Sequence, residues 1–203
     1  MINRKKGIYF MAFLNNNFVK YIVYLASLVV CCACDQNDKI SPPFSDNAGY
    51  IKNEISFAET IYDEKGQPFT LANFKGNVVI VAFSATWCHN CPDVLQSLDS
   101  LKAKNIPGLK IVALNVGNEG INEIKIHYKS HDIQLLDVYQ SVRPTVMKEI
   151  RGVPACLIFD TNGKFVCGYL GRGIDFCSTE FVSFIKSLAE QTKTLGKSDD
   201  AAK

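Results

Sequence analysis

Two cysteines separated by two residues, Cys88 and Cys91, lie in the stretch Ala85-Thr86-Trp87-Cys88-His89-Asn90-Cys91-Pro92. At that spacing the sulfurs can close a small disulfide ring if the chain turns between them, so the pair is a candidate redox dithiol. The nucleophile in thiol–disulfide exchange is the thiolate, and a free cysteine, with a pKa of about 8.5, is mostly protonated at neutral pH. A helix N-terminus eases ionisation, because its unsatisfied N–H groups and macrodipole favour negative charge. Cys88 at such a terminus is the expected attacking sulfur, and Cys91, one turn in, the thiol that resolves the mixed disulfide. His89 and Asn90 between them tune the balance, since a protonated His89 favours the thiolate further. Pro92 lacks an amide hydrogen, which costs little in a first helical turn. Trp87 is expected to shield the pair from one side, and Asp93 to be a solvated first-turn acid.

A single CxxC can also be half of a zinc site, and His127 and His131 stand four apart on a predicted helix, the spacing of a chelating pair. No second CxxC exists, and Cys91 and His127 are much further apart than zinc-finger ligands. No metal or other cofactor is therefore expected, and the two histidines are read as a solvated helix face.

The surrounding pattern supplies the elements that would hold the dithiol. Residues 78–83 are an apolar run without alternation, as in a strand buried on both faces of a sheet. Residues 89–105 carry Val94, Leu95, Leu98 and Leu101 at helical spacing, and Pro107-Gly108 ends that helix. Further strands are expected at 109–116, 133–138, 154–159 and 164–170. A hairpin turn at Asp160-Thr161-Asn162-Gly163 joins the last two. Helices are expected at 120–131, 142–150 and 175–192. Upstream, residues 55–71 read as a hairpin turned by Asp63-Glu64-Lys65-Gly66. Together these make a mixed sheet with helices on both faces, an α/β architecture.

The chain has 203 residues, 47% hydrophobic and 21% charged, which suits one globular domain with appendages. The formal charge of +2 misleads, because Arg4, Lys5, Lys6 and Lys20 precede residue 34 and no acid does. The rest is slightly acidic, with no basic stripe, so no nucleic-acid partner is expected. Residues 1–33 read as a signal peptide: a basic start, then an apolar run shorter than the roughly 20 residues a membrane span needs. Met11 is an alternative start. Cys31-Cys32-Ala33-Cys34 followed by polar residues resembles a bacterial lipoprotein cleavage site, with Cys34 as the lipidation candidate. An uncleaved anchor and plain secretion are the alternatives. Residues 34–53 are expected to be a flexible tether, 54–192 the domain, and 193–203 a polar tail. Eight cysteines suit an oxidising compartment better than cytosol. Of these, Cys156 and Cys167 fall on predicted paired strands as buried thiols, and Cys167 and Cys177 are a candidate second disulfide.

Trp87-Cys88-His89-Asn90-Cys91-Pro92, followed some sixty residues later by Gly152-Val153-Pro154, resembles the thioredoxin fold. The segment Phe69-Thr70-Leu71-Ala72-Asn73-Phe74-Lys75-Gly76 and the extra chain between Val116 and Val153 resemble its exported TlpA/ResA-type thiol–disulfide oxidoreductases. The resemblance implies a three-layer fold with an N-terminal β-hairpin extension and a central insertion. It implies Cys88 as nucleophile, Cys91 as resolving thiol, their redox disulfide, and Pro154 as a cis-proline facing them. Val153 would offer its backbone to an extended substrate. Two acids usual in such proteins are missing, Ala82 and Val94 standing at their positions. The implied partners are protein thiols or disulfides, apocytochrome c among them, and a membrane thiol–disulfide electron donor. The implied setting is the bacterial cell envelope, periplasm-facing, with the protein a membrane-tethered monomer. A disulfide-introducing oxidase or isomerase, a peroxidase, and a metal carrier or binding module on the same fold are the alternatives. The peroxidase pattern Thr-x-x-Cys is absent, because Thr86 is two residues before Cys88.

Overall fold

Val78–Ser84 (β4) is buried at every position, as its unbroken apolar run predicts, because strands cover both its edges and helices both its faces. In the computed structural model the described residues are 41–44, 49–51, 56–141 and 144–199, with side chains through residue 191. The predicted signal segment, Cys34 and most of the predicted tether lie outside them. No helix among the described residues is long and apolar enough to cross a membrane.

The other strands are Tyr50–Ile51 (β1), Ile61–Asp63 (β2), Pro68–Phe69 (β3), Leu109–Asn115 (β5), Val138–Gln140 (β6), Ala155–Phe159 (β7) and Phe165–Leu170 (β8). They form one eight-stranded sheet in the order β1-β8-β7-β4-β5-β6-β2-β3. β4, β5 and β6 run parallel, and the remaining pairs are antiparallel. The helices are Cys91–Ala103 (α1), Ile121–Ser130 (α2), Met147–Ile150 (α3) and Thr179–Asp199 (α4), with a 3₁₀ turn at Leu71–Phe74.

Two apolar layers flank the sheet. On one face Ile80, Ala82 and Ile158 meet Leu98 of α1, Ile124 of α2 and Phe181 of α4. On the other, Val79, Val81 and Phe83 meet Phe57, Phe74 of the 3₁₀ turn and Ile150 of α3. The fold is therefore the expected α/β thioredoxin-like one, with the β2–β3 hairpin as N-terminal extension. The insertion adds α2 and β6, which extend the parallel part of the sheet by one strand.

Several boundaries differ from the sequence reading. Residues 133–137 are not strand. The Asp99 carboxylate of α1 takes the amides of Gln134, Leu135 and Leu136 at 3.3, 2.7 and 2.9 Å. Those donors are thereby removed from any ladder, and pairing starts at Val138. Tyr50 and Ile51, placed in the tether by sequence, add β1 to the β8 edge, where Tyr50 opposes Tyr169. The Tyr169 hydroxyl also donates to the Pro43 carbonyl at 2.6 Å. The last helix begins at Thr179 and continues to Asp199, through much of the predicted tail. Its polar C-terminal residues include good helix formers, which extend a helix already anchored by its apolar face.

Candidate functional site: a dithiol at the head of α1

The parallel strands β4, β5 and β6 end together, with Ser84, Asn115 and Gln140 in register. Loops leaving the carboxyl ends of parallel strands are where α/β folds present their chemistry. The loop after β4 carries the dithiol. It tightens through two turns, the Cys88 amide donating to the Ala85 carbonyl and the Cys91 amide to the Cys88 carbonyl, each at 3.1 Å. Cys88 and Cys91 are joined in a disulfide, their Cα atoms 5.4 Å apart.

The helix starts later than the sequence suggests. Cys91 is its first residue and Asn90 its cap, so Cys88 precedes the helix rather than opening it. Pro92 has no amide hydrogen to reach back to the Cys88 carbonyl, so Cys91 supplies the bond in a tight turn instead. Cys88 still lies on the positive side of the helix dipole. It is 7% exposed against 0% for Cys91, the asymmetry that attack followed by internal resolution requires.

Val153 packs against Ala85, Cys88 and Cys91, and the Val153–Pro154 peptide is cis. The Pro154 carbonyl accepts from the Gly171 amide at 2.7 Å, which fixes that loop beside the dithiol. The structure thus brings together Cys88, Cys91 and Val153, which are distant in sequence. Arg172, next to Gly171, pairs with Asp93 of α1 at 3.8 Å, across the exposed margin of the site.

Trp87 is 69% exposed. It forms one wall of a cleft of about 400 Å³ with Val116, Gly117, Asn118, Glu119 and Met147. A larger cleft of about 630 Å³ lies between α2 and residues 132–138. It includes no residue of the dithiol loop, so the smaller one is the relevant concavity.

The two histidines are less solvated than their helix spacing implies. Their rings meet at 4.6 Å, and His127 Nε2 is buried without a partner. Burial, then the neighbouring His131, lowers the His127 pKa, with Glu119 pulling the other way. No group of three or more metal-ligating side chains occurs among the described residues.

The other described cysteines are of a different kind. Cys156, Cys167 and Cys177 are free, so the candidate second disulfide does not form. Burial pushes the thiols of Cys156 and Cys167 up to about 12, and Cys177 sits against the Ser97 carbonyl at 3.6 Å. Thiols so hard to ionise pack as small hydrophobes.

Sequence reasoning missed Glu119. It lies in a polar loop, Asn118-Glu119-Gly120, with no local signal of importance. Yet it accepts a hydrogen bond from Thr86 of the dithiol loop at 2.7 Å.

An open mixed sheet, a disulfide-forming CxxC ahead of a helix and a cis-proline against it define a thioredoxin-like domain. Residues 76–165 match the family model described as Thioredoxin-like. The domain has the thioredoxin-like fold, with its own CxxC pair, Cys88 and Cys91, closed in a disulfide. Among solved structures, a proposed thiol:disulfide interchange protein DsbE from Chlorobium tepidum is similar, with a TM-score of 0.56 and 20% identity. That match covers 68% of this chain and 99% of the other. A proposed thiol-disulfide oxidoreductase from Bacteroides vulgatus gives 0.52 and 21%, over 64% and 91% of the two chains. The exposed lipoprotein thioredoxin Etrx1 of Streptococcus pneumoniae gives 0.51 and 18%, over 68% and 99%. An uncharacterized protein of Haemophilus influenzae is 26% identical over 131 residues, 57% of this chain and 84% of its own.

Proposed function

We propose that the protein is an exported thiol–disulfide reductase of the TlpA/ResA type, acting on protein disulfides of the cell envelope through a mixed disulfide on Cys88. The observation that carries this reading is the Cys88–Cys91 pair itself. It is closed in a disulfide, asymmetrically exposed, and packed against Val153 beside the cis-proline.

In the reducing direction the Cys88 thiolate attacks a substrate sulfur and the substrate's other sulfur departs. Cys91 then gives up its proton and attacks Cys88, releasing the second substrate thiol and leaving the protein disulfide. Val153 is positioned to pair its backbone with an extended substrate segment beside the sulfur. His89 and Asn90 shape the turn between the thiols, and Trp87 borders the substrate's approach. Recharging requires a membrane thiol–disulfide electron donor. The basic-then-apolar N-terminus and the Cys34 cleavage pattern support export and lipid anchoring. The thioredoxin-like lipoprotein among the similar structures supports the same setting. Apocytochrome c cysteines are the substrate class the family resemblance favours.

Trapping tests the reading. The Cys91→Ala variant attacks but cannot resolve, so it is expected to accumulate covalent adducts through Cys88 that thiol reductants release. The Cys88→Ala/Cys91→Ala double variant is expected to form none. Failure of Cys91→Ala to trap any envelope protein would count against a mixed-disulfide reductase.

A further inference from the structure

The dithiol loop is tied to the insertion by a contact that the cycle above does not use. The Thr86 hydroxyl donates to Glu119 Oε1 at 2.7 Å, while Glu119 Oε2 is buried with no hydrogen-bond partner. The carboxylate is folded over Gly117, where a methyl group would overlap it, so glycine is what makes room for it. This seat is built from both neighbouring strands. Asn115 Oδ1 accepts from the Gly117 amide at 2.8 Å, and Gln140 Nε2 donates to the Glu119 carbonyl at 2.6 Å. Holding a carboxylate oxygen away from water without a partner costs free energy. Thr86, which holds the other carboxylate oxygen, is two residues from the nucleophile.

His127, from α2, has its pKa lowered by burial and then by His131, while Glu119 pulls it the other way. On the far side of the dithiol, Asp93 and Arg172 face each other and offset one another. His89 follows Cys88 directly.

We propose that Glu119 is a positioning residue whose carboxylate, fixed by Thr86 and seated over Gly117, disfavours the Cys88 thiolate and makes the reduced dithiol a stronger reductant. The inference rests on the reading of the protein as a dithiol reductase. A nearby negative charge raises the energy of a thiolate. Stabilising the reduced form is what makes a dithiol oxidising, so withholding that stabilisation drives electrons outward. In the step concerned, Cys88 Sγ gives an electron pair to a substrate sulfur, the substrate S–S bond breaks and its departing sulfur takes a proton. Cys91 loses its proton, its Sγ bonds to Cys88 Sγ, the Cys88–substrate bond breaks, and the second substrate sulfur leaves with that proton. Two electrons and two protons pass from the dithiol to the substrate.

The test is a thiol titration by thiolate absorbance, referenced to Cys88→Ala, together with equilibration against glutathione. Glu119→Gln keeps an acceptor for Thr86 and removes the charge. It is expected to lower the Cys88 thiol pKa by about one unit. The glutathione equilibrium should move toward the reduced dithiol by a few-fold at pH 7 and about tenfold, or about 30 mV, at pH 9. Gly117→Ala, which displaces the carboxylate while retaining it, is expected to move both readouts the same way by less. Unchanged readouts in both variants, or ionisation shifted to higher pH in Glu119→Gln, overturn the proposal. If the wild-type protein exchanges with no protein disulfide, the reductase reading fails instead, and the titration still decides the role of Glu119.

Discussion

Replacing Cys88 by alanine is expected to abolish reduction of protein disulfides, bringing turnover to the uncatalysed background. The expectation follows from burial as much as from chemistry. Cys91 is fully buried and cannot reach a substrate sulfur without Cys88 ahead of it. The other described thiols cannot substitute. Cys156 and Cys167 are buried and pushed up to about 12, and Cys177 is half-buried, its thiol likewise raised, chiefly by burial. Replacing Cys156 by alanine is accordingly expected to leave turnover near that of the wild type. Steady-state reduction of a protein disulfide, with the variants compared at equal folded concentration, checks both statements. Residual turnover in Cys88→Ala would place the attacking sulfur elsewhere.

The second large effect is on stability. Phe181, fully buried, holds α4 to the sheet. Its ring lies 5.0 Å from Phe176 in an edge-on arrangement, with Tyr169 at 6.5 Å and Phe184 at 6.1 Å. Truncation to alanine removes this apolar burial and leaves a cavity that rigid neighbours fill only in part. The expected loss is about 3–5 kcal/mol, a large fraction of the 5–15 kcal/mol typical of a domain. The urea unfolding midpoint measures it. Phe181→Leu, which keeps most of the volume, is expected to cost far less. A loss below about 1 kcal/mol in the alanine variant would mean that α4 is not held by this cluster.

The elements that hold the dithiol were legible because each has a local signature. The run at 78–83 lacks alternation, as a strand covered on both faces does, and Val94, Leu95, Leu98 and Leu101 repeat at helical spacing. Cys88-His89-Asn90-Cys91 names its own chemistry. Val153 and Pro154 became part of the site only through the family resemblance, since nothing local ties them to Cys88. What stayed hidden depends on contacts between distant segments. Asp99 captures the amides of residues 134–136 and so displaces the expected strand, while β1 exists because β8 has an open edge. Glu119 matters through Thr86 and Gly117, and its own neighbours in sequence look like any polar loop. The head of α1 falls between these cases. The sequence marks the helix clearly, but its first turn is set by Pro92 and the closed ring.

The central claim is that the Cys88/Cys91 pair passes electrons outward, and its reduction potential tests this most directly. Equilibration of the full-length protein with glutathione or dithiothreitol buffers at pH 7 is expected to give a value near that of thioredoxin, about −270 mV. A value near −120 mV, that of a strong dithiol oxidant, would contradict the account and make the same site one that introduces disulfides.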